Sequence, residues 1–202
     1  MEYLRDPAAI YSRSFEIIRA ETDFSALPPD AMDVATRIIH ACGMTGIVGE
    51  LRITDDFRAA ARRALETGRP VLADVEMVRQ GIIAKSPNVM CLINDPRASE
   101  IAIRDRTTRS AAAVQLWMPH LEGALVVIGN APTALYALLE AIDAGGPRPA
   151  AIAAFPGGFV GAAESKDELV RHPRGISYAT LLGRRGGSAM AAAVVNALDP
   201  RR

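Results

Sequence analysis

Residues able to carry chemistry gather in a few short segments of this 202-residue chain. Three segments join an apolar run to a helical pattern through glycines: IGNAPTAL, AFPGGFVGAAESK and LGRRGGSAM. Glycine there permits positive φ and close approach of a ligand to the backbone. The helix that follows offers unpaired N–H groups and the positive end of its dipole to an anion. Arg184 and Arg185 beside Gly186, Gly187 and Ser188 make the third segment the best carboxylate or phosphate cradle, and Lys166 adds a cation near the second. No segment reads GxGxxG or GxxxxGK followed by Ser or Thr, so neither a dinucleotide site nor a P-loop is supported. The plainer alternative, that each glycine merely allows a tight turn, stays open for any one segment taken alone.

For proton transfer the best candidate is His40. It lies in the last turn of the helical segment DAMDVATRIIHACG, on the border of an apolar side formed by Met32, Ala35, Ile38, Ile39 and Cys42. Asp33, Thr36 and Arg37 share its flank, at helical spacing. Two roles are open: satisfying the helix C-terminal dipole, or using the near-neutral pKa of imidazole for acid–base work. Ser14 interrupts a stripe of Ile10, Tyr11, Phe15 and Ile18. Its hydroxyl needs a partner there, either the carbonyl four residues earlier or a ligand. Asp74 and Glu76 end the first apolar strand, where capping the short helix that follows competes with a functional role. Arg109 stands at a helix start, where a cation opposes the dipole, which suits service to a carboxylate elsewhere or a surface ion pair. His120 and His172 read as surface residues, and Trp117 and Met118 as core. No pair of His, Cys or carboxylates has metal-ligand spacing, so no metal is expected.

These residues require a scaffold that brings strand ends together. The runs PVLAD, NVMCLI, ALVVIG, PAAIAAF and ISYATLL are continuous rather than alternating, as strands covered on both faces must be. Helical patterns alternate with them, and two more precede the first strand, around Ile10 to Glu21 and Pro29 to Cys42. Asp56 and Asn130 can cap helix starts, while Gly68 and Gly145 can end helices. The expectation is an α/β fold: a single domain over residues 1–202, with a mostly parallel sheet of about five strands flanked by helices. In such sheets ligands bind beyond the carboxyl ends of the strands.

Composition narrows the partners. The chain has 23 basic and 23 acidic residues and is 50% apolar. That balance argues against a nucleic-acid or membrane-surface binder, which needs a basic excess, yet leaves room for a small polyanion held by a local cluster. One core of this size buries roughly 70% of the unfolded surface without disulfides or metal. Cys42 and Cys91 lack paired spacing, which suits a reducing compartment. The charged start MEYLRDPAAIYSRSFEIIRAE lacks a secretory pattern, and no apolar run reaches the roughly 20 residues of a membrane span. A cytoplasmic location is expected.

Taken together, IYSRSFEIIRAE, RIIHACG, DVEMVRQGI, TRSAAAVQLW, VIGNAPTAL, GFVGAAESK and GRRGGSAMAAAVVNAL resemble the precorrin-8X methylmutase family of cobalamin biosynthesis, in order and from about Tyr11 to Ala197. The resemblance implies an α/β fold, a homodimer with active sites at the subunit interface, and no cofactor. It implies migration of a methyl group from C11 to C12 of a contracted tetrapyrrole, turning precorrin-8X into hydrobyrinic acid. It makes His40 the catalytic residue, with Ser14 and Arg109 at the substrate; Lys166, Arg184, Arg185, Gly187 and Ser188 complete the binding set expected from the glycine turns. One departure is Gly157, where the family often carries a branched residue. Two rivals remain: the same migration on a cobalt-bearing substrate, and a non-catalytic corrinoid carrier.

Overall fold

In a computed structural model the described residues are 1–83 and 88–198. The chain opens with α1 (Pro7–Glu21), started by Pro7 and by Asp6, whose carboxylate accepts the Ala9 N–H at 2.7 Å. A 3-10 turn (Pro29–Ala31) leads into α2 (Met32–Cys42), which Gly43 ends in the left-handed conformation with φ 69°. A second 3-10 segment (Thr45–Glu50) runs into β1 (Leu51–Ile53). Then follow α3 (Phe57–Glu66), β2 (Val71–Ala73), α4 (Glu76–Gly81), β3 (Val89–Cys91), α5 (Pro96–Asp105) and α6 (Arg109–Leu121). The last part alternates: β4 (Leu125–Ile128), α7 (Pro132–Asp143), β5 (Ala151–Ala154), α8 (Ala162–Arg171), β6 (Ser177–Leu181) and α9 (Ser188–Leu198).

The sheet has six strands in the order β1-β6-β5-β4-β2-β3, all neighbours parallel except β1 against β6. The five expected strands are β2 to β6. The sixth, β1, adds an antiparallel edge through Leu51 and Leu181, Arg52 and Thr180, and Ile53 and Ala179. The parallel part follows the flavodoxin-like order, with its reversal of direction between β2 and β4.

Strand residues alternate between two cores, as the period-2 backbone requires. Val71, Ala73, Leu125, Val127, Ala153 and Leu181 face a core shared with α2, α3, α4 and α9. Leu72, Val126, Ile128, Ile152 and Tyr178 face the other, shared with α6, α7 and α8, where Trp117 is fully buried. His120 and His172 are exposed. Gly68 and Gly145 take positive φ at helix ends, as expected. Asp56 and Asn130 do not cap as expected: Asp56 makes no side-chain cap bond, and the residue before α7 is Ala131. Among the described residues no helix is long and apolar enough to cross a membrane.

Candidate active site

Two arrangements bring expected residues together. The first joins α1 to α2. Ser14 Oγ sits 2.8 Å from His40 Nδ1, so two side chains 26 positions apart are a hydrogen-bonded pair. Aromatic rings enclose the imidazole: Tyr11 at 5.1 Å between centroids and Phe15, edge-on, at 5.3 Å. Arg37 donates to Tyr11 Oη at 2.8 Å and lies over both rings. Burial first, and then the Arg37 charge, hold the His40 pKa below its ordinary value. A recess of about 200 Å³ opens beside the pair, lined in part by Ser14, Ile17, His40, Gly43 and Thr45.

Glycine turns form the second arrangement. The three segments converge, because β4, β5 and β6 are neighbours. A Cβ on Gly129 would fall 2.7 Å from Ser188 Cα, and one on Gly157 would fall 3.4 Å from the Gly186 backbone. A Cβ on Gly186 would come within 2.3 Å of the Phe155 carbonyl oxygen, so no other residue fits there without movement. Backbone bonds stitch the second turn to the third: Gly158 N–H to Arg184 O at 3.0 Å and Gly187 N–H to Phe155 O at 2.7 Å. The family's departure at Gly157 thus lies where the two loops touch.

The expected binding residues divide by position. Arg184 is exposed and stacks over Phe159 at 5.3 Å. Arg185 is also exposed and pairs with Glu50 at 2.5 Å. Ser188 heads α9, and its Oγ is buried with no hydrogen-bond partner among the described residues. Arg109 is exposed at the start of α6, beyond Thr108, whose Oγ1 meets Thr133 Oγ1 of α7 at 2.7 Å. Lys166, expected among the substrate-binding cations, does not stand with the exposed arginines. It is fully buried, and its Nζ donates to the Arg185 carbonyl at 2.6 Å.

Asp74 and Glu76, neighbours in the sequence, serve different elements. Glu76 accepts from Arg79 Nε at 2.7 Å on α4. Asp74 is buried and accepts the N–H groups of Gly129, Asn130 and Ala131, each at 2.9 Å. It holds the turn before α7 rather than capping the helix that follows it. Burial pushes its carboxyl up, with the three donors pulling the other way. Residues whose part was missed are Asp74 in this role and Glu50. An Asp closing an otherwise apolar strand was the available signal for the first; no local signal marks the second.

Comparison with known proteins extends this picture. Residues 9–199 match the family model described as precorrin-8X methylmutase (CbiC). A Pseudomonas aeruginosa protein named precorrin-8X methylmutase is 49% identical, over 100% of this chain and 99% of its own. A Priestia megaterium protein named cobalt-precorrin-8 methylmutase is 32% identical over 96% of this chain and 87% of its own. A solved structure of a Thermus thermophilus precorrin-8X methylmutase superimposes with a TM-score of 0.82 at 32% identity, covering 94% of this chain and 95% of that one.

Proposed function

The chain belongs to the precorrin-8X methylmutase family, isomerases of cobalamin biosynthesis, and we propose that His40 is the group that moves the proton in its reaction. The substrate is precorrin-8X and the product hydrobyrinic acid, the methyl passing from C11 to C12. Higher identity to the relative named for the metal-free substrate than to the one named for the cobalt form supports that choice.

One observation carries the catalytic reading: the hydrogen bond of Ser14 to His40 Nδ1 at the wall of a recess. As imidazolium, His40 donates from both nitrogens, so Ser14 accepts from Nδ1–H and Nε2–H is left for the ligand. Transfer of the Nε2 proton to the conjugated ring makes it electron-poor. The methyl then shifts to the adjacent carbon with its bonding pair, and a ring proton returns to Nε2 as conjugation is restored. Nδ1–H stays on Ser14 throughout, fixing ring orientation and tautomer. A pKa below the ordinary value makes the imidazolium the stronger acid that the first step needs.

Arg109, Arg184, Arg185 and Ser188 are assigned to the acetate and propionate rim, where charge-assisted bonds are the strong ones; Gly187, whose N–H is already given to the Phe155 carbonyl, shapes the turn instead. The unpartnered Ser188 hydroxyl supports this. Residues 1–202 are taken to work as one domain, in the cytoplasm, without a cofactor. A recess of about 200 Å³ cannot enclose a tetrapyrrole, since even drug-sized ligands occupy roughly 300–1,000 Å³. Tyr11 and Ile17, partly exposed beside it, are apolar surface for a second copy. The working unit is therefore a homodimer with shared sites. Sedimentation is expected to give twice the chain mass, and a monomer with full activity would contradict it.

Activity is tested by following the ultraviolet–visible conversion of precorrin-8X by wild type and His40→Ala. Turnover is expected to drop on the order of 10²–10⁴-fold in the variant, the range for one acid–base group, with product still bound. An active His40→Ala enzyme would sink the assignment. Stoichiometric binding without spectral change in wild type would favour the carrier. The cobalt-bearing substrate, presented beside the metal-free one, decides between the two forms.

A further inference from the structure

Lys166 is among the largest fully buried side chains of the molecule, in the company of Trp117 and Phe155. Lysine is almost never fully buried unless it is paired, and among the described residues no carboxylate lies within ion-pair distance of it. Its hydrogen bond is to a backbone carbonyl, that of Arg185, from α8 across to the β6–α9 turn. The preceding carbonyl, of Arg184, is taken by Gly158 N–H. Two successive carbonyls of this turn are thus drawn onto neighbouring elements. No peptide in the described chain is cis, and in a trans peptide the N–H points opposite to the C=O. The bond from Lys166 therefore also orients the Gly186 N–H, away from the ammonium. Glu50 holds the same residue from its other end, through the Arg185 guanidinium.

From this geometry we infer that Lys166 is a positioning residue for substrate binding: its buried ammonium fixes the Arg184–Ser188 turn and gives it a positive interior, without touching the tetrapyrrole. The inference rests on the proposed use of that turn for substrate carboxylates. A charged donor is suited to the task because a hydrogen bond from an ion is about twice as strong as a neutral one. It also places a full positive charge beneath the surface where Arg184 and Arg185 are exposed, and a buried charge is screened little by salt. The charged groups that face it are Asp167, next to it on α8, and Glu50 at the end of the 3-10 segment. Both favour the ammonium, while burial, the larger effect, opposes it and pushes the lysine down to about 8.

Steady-state kinetics of wild type and Lys166→Met on precorrin-8X, with product binding by absorbance titration, test the inference. Methionine preserves the buried volume and removes the donor and charge. KM and the product Kd are expected to rise about tenfold, the worth of one charge-assisted bond, with kcat within about threefold because His40 is untouched. A merely structural role would reduce the active fraction, lowering apparent kcat and leaving KM where it was. That outcome, or an unchanged KM, overturns the inference. Should Lys166→Met fail to fold, the wild-type pH profile decides. KM is expected to rise as pH climbs through about 8 and the ammonium loses its proton; a flat KM across that window overturns it equally. Wild type that does not convert precorrin-8X defeats the proposed function itself, whereas active wild type with an indifferent Lys166→Met defeats only this inference.

Discussion

The β4–α7 turn and the β6–α9 turn look alike in sequence, each an apolar strand ending in glycine and running into a helix, but their undersides are opposite in charge. Beneath the first lies the Asp74 carboxylate, accepting three consecutive N–H groups. Beneath the second lies the Lys166 ammonium, donating to a carbonyl. Turn amides already bonded to an internal anion have little left for an external one. Turn carbonyls drawn to an internal cation turn the Gly186 N–H the other way, while the Gly187 N–H is given to the Phe155 carbonyl. The first turn also sits at the reversal point between β2 and β4, the crevice where open α/β sheets commonly bind ligands. Here a side chain of the protein fills it, and the arginines stand two strands away, after β6.

The contrast is broken most severely at Asp74. Asp74→Ala leaves the buried N–H groups of Gly129 and Ala131 without an acceptor, at about 1–3 kcal/mol each, and frees that of the exposed Asn130 to water. Denaturant unfolding is expected to show a loss on the order of 3 kcal/mol or more, with Asp74→Asn losing less because one oxygen remains. Unchanged stability with lost substrate binding would mean that Asp74 serves the ligand and that the two turns do not differ as argued. Smaller, and on binding instead of folding, is the effect of the arginines. Arg185→Ala is expected to raise KM about tenfold with little change in melting temperature, since its pair with Glu50 is half exposed and worth at most about 1 kcal/mol. Asn130→Ala, at the matching place in the β4–α7 turn, should leave KM within about twofold, because the change keeps the amide that Asp74 holds and removes only an exposed side chain. Equal KM changes in the two variants would erase the distinction.

How much of this was legible beforehand follows from range. Strands β2 to β6 were readable because continuous apolar runs between helical patterns have few other uses. Strand β1 was not: LRI is three residues with an exposed Arg52 in the middle, and only pairing with β6 makes it a strand. Helix α5 was passed over although Asp95 and Pro96 mark its start, because Ala98 and Ala102 are its only buried residues and form no apolar stripe. Ser14 and His40 could each be picked out by their place on a helix, but their bond joins positions 26 apart and needs the α1–α2 packing. Lys166 was visible as a cation near a glycine turn, while its burial was hidden, since lysine on a helix ordinarily reads as solvent-facing. The partners of Asp74 lie 55 to 57 positions away, beyond any local pattern.

Helix α1 contributes a single buried residue, Ile18, to the core of the chain, although it carries Ser14, Tyr11 and Phe15 against His40. Segments with little buried apolar contact open at a fraction of the global unfolding free energy. In the separated chain the amides of α1 are therefore expected to trade hydrogen for deuterium well before those of β4 or β5, whose residues are buried throughout, and to gain protection once a second copy covers Tyr11 and Ile17. Each such opening takes the hydroxyl from Nδ1 and uncovers the imidazole, while the sheet and its turns stay folded. Loss of the Ser14–His40 pair is thus expected to precede melting of the sheet when copies separate, a step that a protease nick near the start of the chain would report.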